Sequence, residues 1–120
     1  MANILVCDDD KEIVEAISIY LSQEGYQIFK AYNGREAIEV LQKEDIQLLL
    51  IDIMMPEMDG IHAMIKIRTF SAIPILVLSA KSEDVDKILG LNVGADDYIT
   101  KPFNILEVKA RIKAIMRRTA

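Results

Sequence analysis

Short, unbroken apolar runs recur along this chain, and helical patterns fill the intervals between them. Ile4-Leu5-Val6-Cys7, Leu48-Leu49-Leu50-Ile51 and Ile75-Leu76-Val77-Leu78 are continuously hydrophobic, as expected of parallel strands covered on both faces. Tyr26-Gln27-Ile28-Phe29-Lys30-Ala31 alternates more, and Tyr98-Ile99 is very short; both read as edge strands. Between the runs, apolar residues fall at helical spacing: Ile13, Ile17 and Tyr20–Leu21, then Ala37, Ile38 and Leu41, and last Ile105, Val108, Ile112 and Ile115–Met116. Gly25, Gly34, Gly60 and Gly94 punctuate the segments. The pattern reads strand–helix five times, without repeat or linker. It predicts a single α/β domain, a doubly wound (βα)5 sandwich whose five parallel strands take the flavodoxin-like order 2-1-3-4-5.

Composition narrows the setting. With 120 residues, 52% apolar and 28% charged, the chain suits one domain with a real core, and disorder is excluded. Cys7 has no second cysteine to pair with, so a disulfide-stapled secreted scaffold is excluded. No apolar stretch is long enough to span a bilayer, and the N-terminus lacks a signal-peptide pattern. The expectation is a cytoplasmic domain with no membrane partner. The net charge is −5, but residues 1–60 hold thirteen acids and four bases, whereas residues 61–120 hold six acids and ten bases. Five of those bases are Lys109, Arg111, Lys113, Arg117 and Arg118. They complement the dipole of a last helix, and the acidic balance argues against direct nucleic-acid binding.

In a sheet of this kind, ligands bind outside the carboxyl ends of the strands, where strand order reverses. The first run ends in Asp8-Asp9-Asp10, the third in Asp52 and the fourth in Ser79, and the fifth leads to Lys101-Pro102. Strands one and three are neighbours at the reversal, so Asp8, Asp9 and Asp52 converge there, with Ser79 and Lys101 alongside. Three crowded carboxylates must either raise one pKa or share a cation. Oxygen donors with no nearby His point to Mg²⁺, or Mn²⁺, rather than zinc. A carboxylate beside a lysine and a hydroxyl is also what a phosphoryl acceptor requires. Other residues have ordinary readings: Asp10 as the N-cap of the first helix, Asp59-Gly60 and Pro56 as loop-shaping turn residues, His62 on the surface, and Cys7 as an inert core thiol.

Three stretches carry a resemblance: Ile4-Leu5-Val6-Cys7-Asp8-Asp9-Asp10, Asp52-Ile53-Met54-Met55-Pro56-Glu57-Met58-Asp59-Gly60, and Gly94-Ala95-Asp96-Asp97-Tyr98-Ile99-Thr100-Lys101-Pro102-Phe103. In this order, with Ser79 between, the chain from Ile4 to Arg118 resembles a response-regulator receiver domain of bacterial two-component systems, most like the OmpR/PhoB type. The resemblance implies that Asp52 accepts a phosphoryl group from a sensor histidine kinase. It also implies Asp9 and Asp52 as direct Mg²⁺ ligands, Asp8 as a ligand directly or through water, and the Met54 carbonyl completing the set. Lys101 would pair with the phosphoryl group and Ser79 would donate a hydrogen bond to it, with Tyr98 rotating inward when Ser79 moves toward that group. The Lys101–Pro102 bond is expected to be cis. Many relatives carry Thr where this chain has Ser79.

The resemblance further implies a homodimer on phosphorylation, formed by the fourth helix, fifth strand and fifth helix. Its apolar centre would be Ile88, Leu91 and Ala110, rimmed by Lys87, Asp96, Asp97, Glu107 and Arg111. Lys87 would meet Glu107, and Asp97 would meet Arg111, across a two-fold axis. Asn92 stands where many relatives have an acid, which leaves a third pair, to Lys113, without its carboxylate. Such relatives carry a C-terminal winged-helix DNA-binding domain, so residues 1–120 are expected to be the receiver part of a longer transcription regulator that touches DNA only through that domain. The domain would be no metabolic enzyme, catalysing only its own phosphorylation and slow autodephosphorylation. The alternatives are a stand-alone receiver or phosphorelay carrier, and an Asp-nucleophile phosphatase of the haloacid-dehalogenase type. The latter is disfavoured because Asp52-Ile53-Met54 lacks that family's second Asp. A flavodoxin-like nucleotide binder is disfavoured by the missing Gly-rich phosphate loop.

Overall fold

In the computed structural model of the chain, residues 2–55, 58–79 and 94–119 are described. The elements are β1 (Asn3–Cys7), α1 (Lys11–Gln23), β2 (Gln27–Ala31), α2 (Gly34–Lys43), β3 (Leu48–Asp52), α3 (Gly60–Ile67), β4 (Ile75–Ser79), β5 (Asp97–Thr100) and a C-terminal helix (Ile105–Thr119). All strand pairs are parallel, in the order β2-β1-β3-β4-β5. The fold is the expected flavodoxin-like one, with β2 and β5 at the edges. The expected helix bearing Ile88 and Leu91 lies outside the described residues.

The continuous apolar runs serve two cores, because successive strand side chains point to opposite faces. Leu5, Cys7, Leu49, Ile51, Ile75 and Val77 join Ala37 of α2 and Ala63, Met64 and Ile67 of α3 on one face. Ile4, Val6, Leu48, Leu50, Leu76, Leu78 and Ile99 join Val14, Ile17 and Leu21 of α1 and Val108, Ile112 and Ile115 of the C-terminal helix on the other. At about 1.5–3 kcal/mol for each large side chain fully buried, these two layers are the main force holding the sheet ends in place.

Helix boundaries follow local chemistry. The Asp10 carboxylate accepts the amides of Glu12 and Ile13 at 3.0 and 3.3 Å, so it caps α1 as the sequence suggests. Gly25 closes that helix with φ +93°, a left-handed position that favours glycine. Asn33 caps α2 by accepting from Glu36 N. No helix among the described residues is long and apolar enough to cross a membrane.

Candidate functional site

The alternation that builds the core also aims the site. Ile4 and Val6 face α1, and Asp8 continues their parity; Leu48 and Leu50 do the same for Asp52, and Ile99 for Lys101. The Asp8 amide still donates to Ala31 O at 3.2 Å, so strand geometry persists to that residue. One carboxylate oxygen from each of Asp8, Asp9 and Asp52 lies within 4.8 Å of the other two. Asp8 and Asp52 are buried, while Asp9 is exposed. Lys101 Nζ closes the cluster, 2.7 Å from Asp8 Oδ2 and 3.4 Å from Asp52 Oδ2. The Lys101–Pro102 bond is cis. The Lys101 amide donates to Ser79 O, which ties the lysine's backbone to the end of β4.

Burial and the crowding of like charges set the electrostatics of the cluster. Burial first, and the charge on Asp8 second, push the Asp52 carboxyl up from its ordinary 3.8 to about 6, against the pull of Lys101 and the Met54 amide. Asp9, exposed but partly desolvated by its neighbours, is raised by that desolvation, by its hydrogen bond with Asp8 and by that residue's charge. Burial works against the Lys101 ammonium, but its hydrogen bond to Asp8 and the charge on Asp52 outweigh it and hold the lysine protonated. Two local donors steady the acids: Asp10 N to Asp8 Oδ1 at 3.0 Å and Met54 N to Asp52 Oδ1 at 3.3 Å. A hard divalent ion would relieve the crowding, and the donors here are all oxygen, so the residues fit Mg²⁺ or Mn²⁺.

Other predicted residues fall as follows. Ser79 is buried at the end of β4. Tyr98 is half-buried in β5 and packs against the core on the α2–α3 face. Met54 is exposed in the loop after β3. Asp97 and Arg111 meet at 2.8 Å within one chain, and Glu107 approaches the same guanidinium at 3.6 Å. Ala110 is exposed beside them. Asp96 faces elsewhere, accepting Ile75 N at 2.8 Å. Lys87, Ile88 and Leu91 lie outside the described residues. Cys7 is buried, and burial above all pushes its thiol up, so it is unreactive.

Three features escaped sequence reasoning. Lys101 engages Asp8 more closely than Asp52. Arg68 donates to Ile73 O at 2.8 Å and Gly94 O at 2.6 Å, tying the end of α3 to the turn before β5. Asp59 is more than a turn residue, because it caps α3 through His62 N at 2.8 Å and meets the His62 ring nitrogen at 3.0 Å. The i,i+3 spacing of Asp59 and His62 was a usable signal for the last.

Comparison with known proteins bears on the family and the fold. The model of the response regulator receiver domain matches residues 4–113. The chain is 48% identical over 115 residues to the regulatory protein VanRc of Enterococcus gallinarum, covering 96% of this chain and 50% of that protein. It is 47% identical over 120 residues to the transcriptional regulatory protein CpxR homolog of Haemophilus influenzae, covering 100% and 52%. It thus spans about half the length of these curated relatives. Among solved structures, a two-component response regulator from Clostridium difficile superposes with a TM-score of 0.96 at 34% identity, covering 99% and 98% of the two chains. The response regulator TrrA of Thermotoga maritima, in complex with Mg²⁺ and BeF, superposes at 0.86 with 34% identity, covering 96% and 99%.

Proposed function

The chain belongs to the response regulator receiver family, and on that premise we propose that Asp52 accepts a phosphoryl group from a sensor histidine kinase and so switches an output face. The observation that carries this reading is the convergence of Asp8, Asp9 and Asp52 on one point, with Lys101 Nζ bridging two of them. Asp9 and Asp52 would hold Mg²⁺ directly, Asp8 directly or through water, and the Met54 carbonyl would complete the protein ligands. The bound ion would supply charge neutralisation on a transferring phosphoryl group.

The chain's own residues do the rest. A carboxylate oxygen of Asp52 attacks phosphorus, the P–N bond to the kinase histidine breaks with its electron pair passing to the imidazole, and an acyl phosphate remains. Lys101 turns from the carboxylates to the phosphoryl oxygens, and the Ser79 hydroxyl donates to another. Tyr98 then moves inward to follow Ser79, a two-state equilibrium that the phosphoryl group biases. Water later attacks phosphorus, the P–O bond to Asp52 breaks, and inorganic phosphate leaves as the carboxylate is restored.

The output is a dimer through Ile88, Leu91 and Ala110, with Lys87 meeting Glu107 and Asp97 meeting Arg111 across the axis, and Asp96 on the rim. The Asp97–Arg111 pair already exists within one chain, so dimerisation exchanges partners rather than ordering free charges. DNA is reached through a separate domain, in keeping with the share of the relatives that this chain spans. Incubation with acetyl phosphate and Mg²⁺ tests the reading. Intact mass should rise by one phosphoryl group in the wild type and stay unchanged in Asp52→Asn or in chelator. Labelling of Asp52→Asn at wild-type stoichiometry would refute it.

A further inference from the structure

We propose that Gly60 is a positioning residue for Asp52: its bare α-carbon lets α3 seat directly on the phosphoacceptor's own peptide. A Cβ at this position would overlap Asp52 O and fall 2.7 Å from Ile53 Cα and 3.0 Å from the Asp52 carbonyl carbon. Each of these is a backbone atom, so no side chain can swing aside to make room. The glycine is there for space rather than for backbone freedom, since among the described residues the positive-φ glycines are Gly25 and Gly94.

Neither partner has room to retreat. The Ile53 amide donates to Leu78 O at 3.0 Å, which pins the end of β3 to β4, and Gly60 N donates to Ile53 O at 2.8 Å. On the other side Ala63, Met64 and Ile67 are fully buried in the core. A side chain at position 60 would therefore displace residues 52–54, which carry both the Asp52 carboxylate and the Met54 carbonyl. Gly34 supplies a contrast. A Cβ there would meet Met58 O at 2.9 Å, Met58 Cγ at 3.0 Å and Ala63 Cβ at 3.1 Å, a milder crowding that touches neither Asp52 nor Ile53.

This inference rests on the reading of Asp52 as phosphoacceptor, but cation binding tests it separately. Gly60→Ala and Gly34→Ala would be compared with wild type by metal-free thermal midpoint, by Mg²⁺ affinity from NMR titration, and by rate with acetyl phosphate at saturating Mg²⁺. Both variants should lose stability. Gly60→Ala should bind Mg²⁺ about tenfold more weakly and react about tenfold more slowly, because sub-ångström misplacement costs that much. Gly34→Ala should stay within about twofold of wild type on both counts. A folded Gly60→Ala with wild-type affinity and rate would overturn the proposal, as would an equal loss in Gly34→Ala. If Gly60→Ala does not fold, hydrogen exchange in the wild type decides. Mg²⁺ should slow exchange of the Gly60 amide together with that of Met54, and an unchanged Gly60 would overturn the proposal. A wild type that binds Mg²⁺ but takes no phosphoryl group sinks the phosphoacceptor reading, and the Mg²⁺ arm alone then decides on Gly60.

Discussion

Lys101 and Arg111 each pair with an aspartate, at 2.7 and 2.8 Å, yet the two pairs do different work. Asp8 is fully buried and the Lys101 side chain only 15% exposed, whereas Arg111 and Asp97 are 42% and 21% exposed. Around Lys101 there are more carboxylates than cations, and the low dielectric keeps each charge expensive. Around Arg111 water screens the pair and a second acid, Glu107, stands by. Two cation–carboxylate pairs at similar distance thus give one ion pair that cannot be broken without consequence and one that can change partners cheaply. The first suits a site that waits for a phosphoryl group; the second suits an interface that forms and dissolves.

The largest effect on stability should come from breaking the buried pair. Without metal at pH 7, Lys101→Met leaves Asp8 without its counter-charge and should cost about 3 kcal/mol in denaturant unfolding. The variant should still bind Mg²⁺, since no ligand is lost, and should transfer phosphoryl groups poorly. A cost near zero would mean that the Lys101–Asp8 contact carries no stability.

Asp52→Asn sharpens the comparison from the opposite direction. The folded carboxyl titrates near 6, above its ordinary 3.8, so the folded state binds the extra proton. Its favourable contribution is therefore complete below about 3.8 and is lost as pH rises through about 6. In metal-free protein Asp52→Asn should match wild type near pH 4 and exceed it by roughly 1–2 kcal/mol at pH 7, allowing for solvent screening at the open side. Mg²⁺ should erase that advantage. Unfolding curves across this pH range with chelator check it, and a parallel offset at every pH would contradict it.

The smallest effect is expected at the exposed pair. Arg111→Ala should cost less than about 1 kcal/mol, and the cost should shrink further in high salt. Light scattering with Mg²⁺ and beryllofluoride should nevertheless show dimer for wild type and monomer for Arg111→Ala. If wild type binds the mimic and stays monomeric, Arg111 has no interface role and the stand-alone receiver becomes the better reading.

Much of this was legible in the sequence, because parallel strands buried on both faces leave continuous apolar runs and place their terminal acids together. Asp8, Asp9, Asp52 and Lys101 were placed by topology alone. What stayed hidden depends on distances between elements that share no sequence pattern. The reach of Lys101 to Asp8 across 93 positions, the Arg68 tie to Gly94 and the seat of Gly60 on the Asp52 peptide are of that kind. Arg111 was expected to find Asp97 across an interface; the same carboxylate also lies within reach on its own chain, which spacing along one helix could not reveal.

Whether Asp52 itself bears the phosphoryl group can be read chemically. After reaction with acetyl phosphate and Mg²⁺, borohydride reduction converts an aspartyl phosphate to homoserine, which peptide mass mapping locates. Homoserine should appear at position 52 only, and not at all when Mg²⁺ is chelated. Homoserine at Asp8 or Asp9, or a phosphoryl group that survives reduction on a serine such as Ser79, would contradict it.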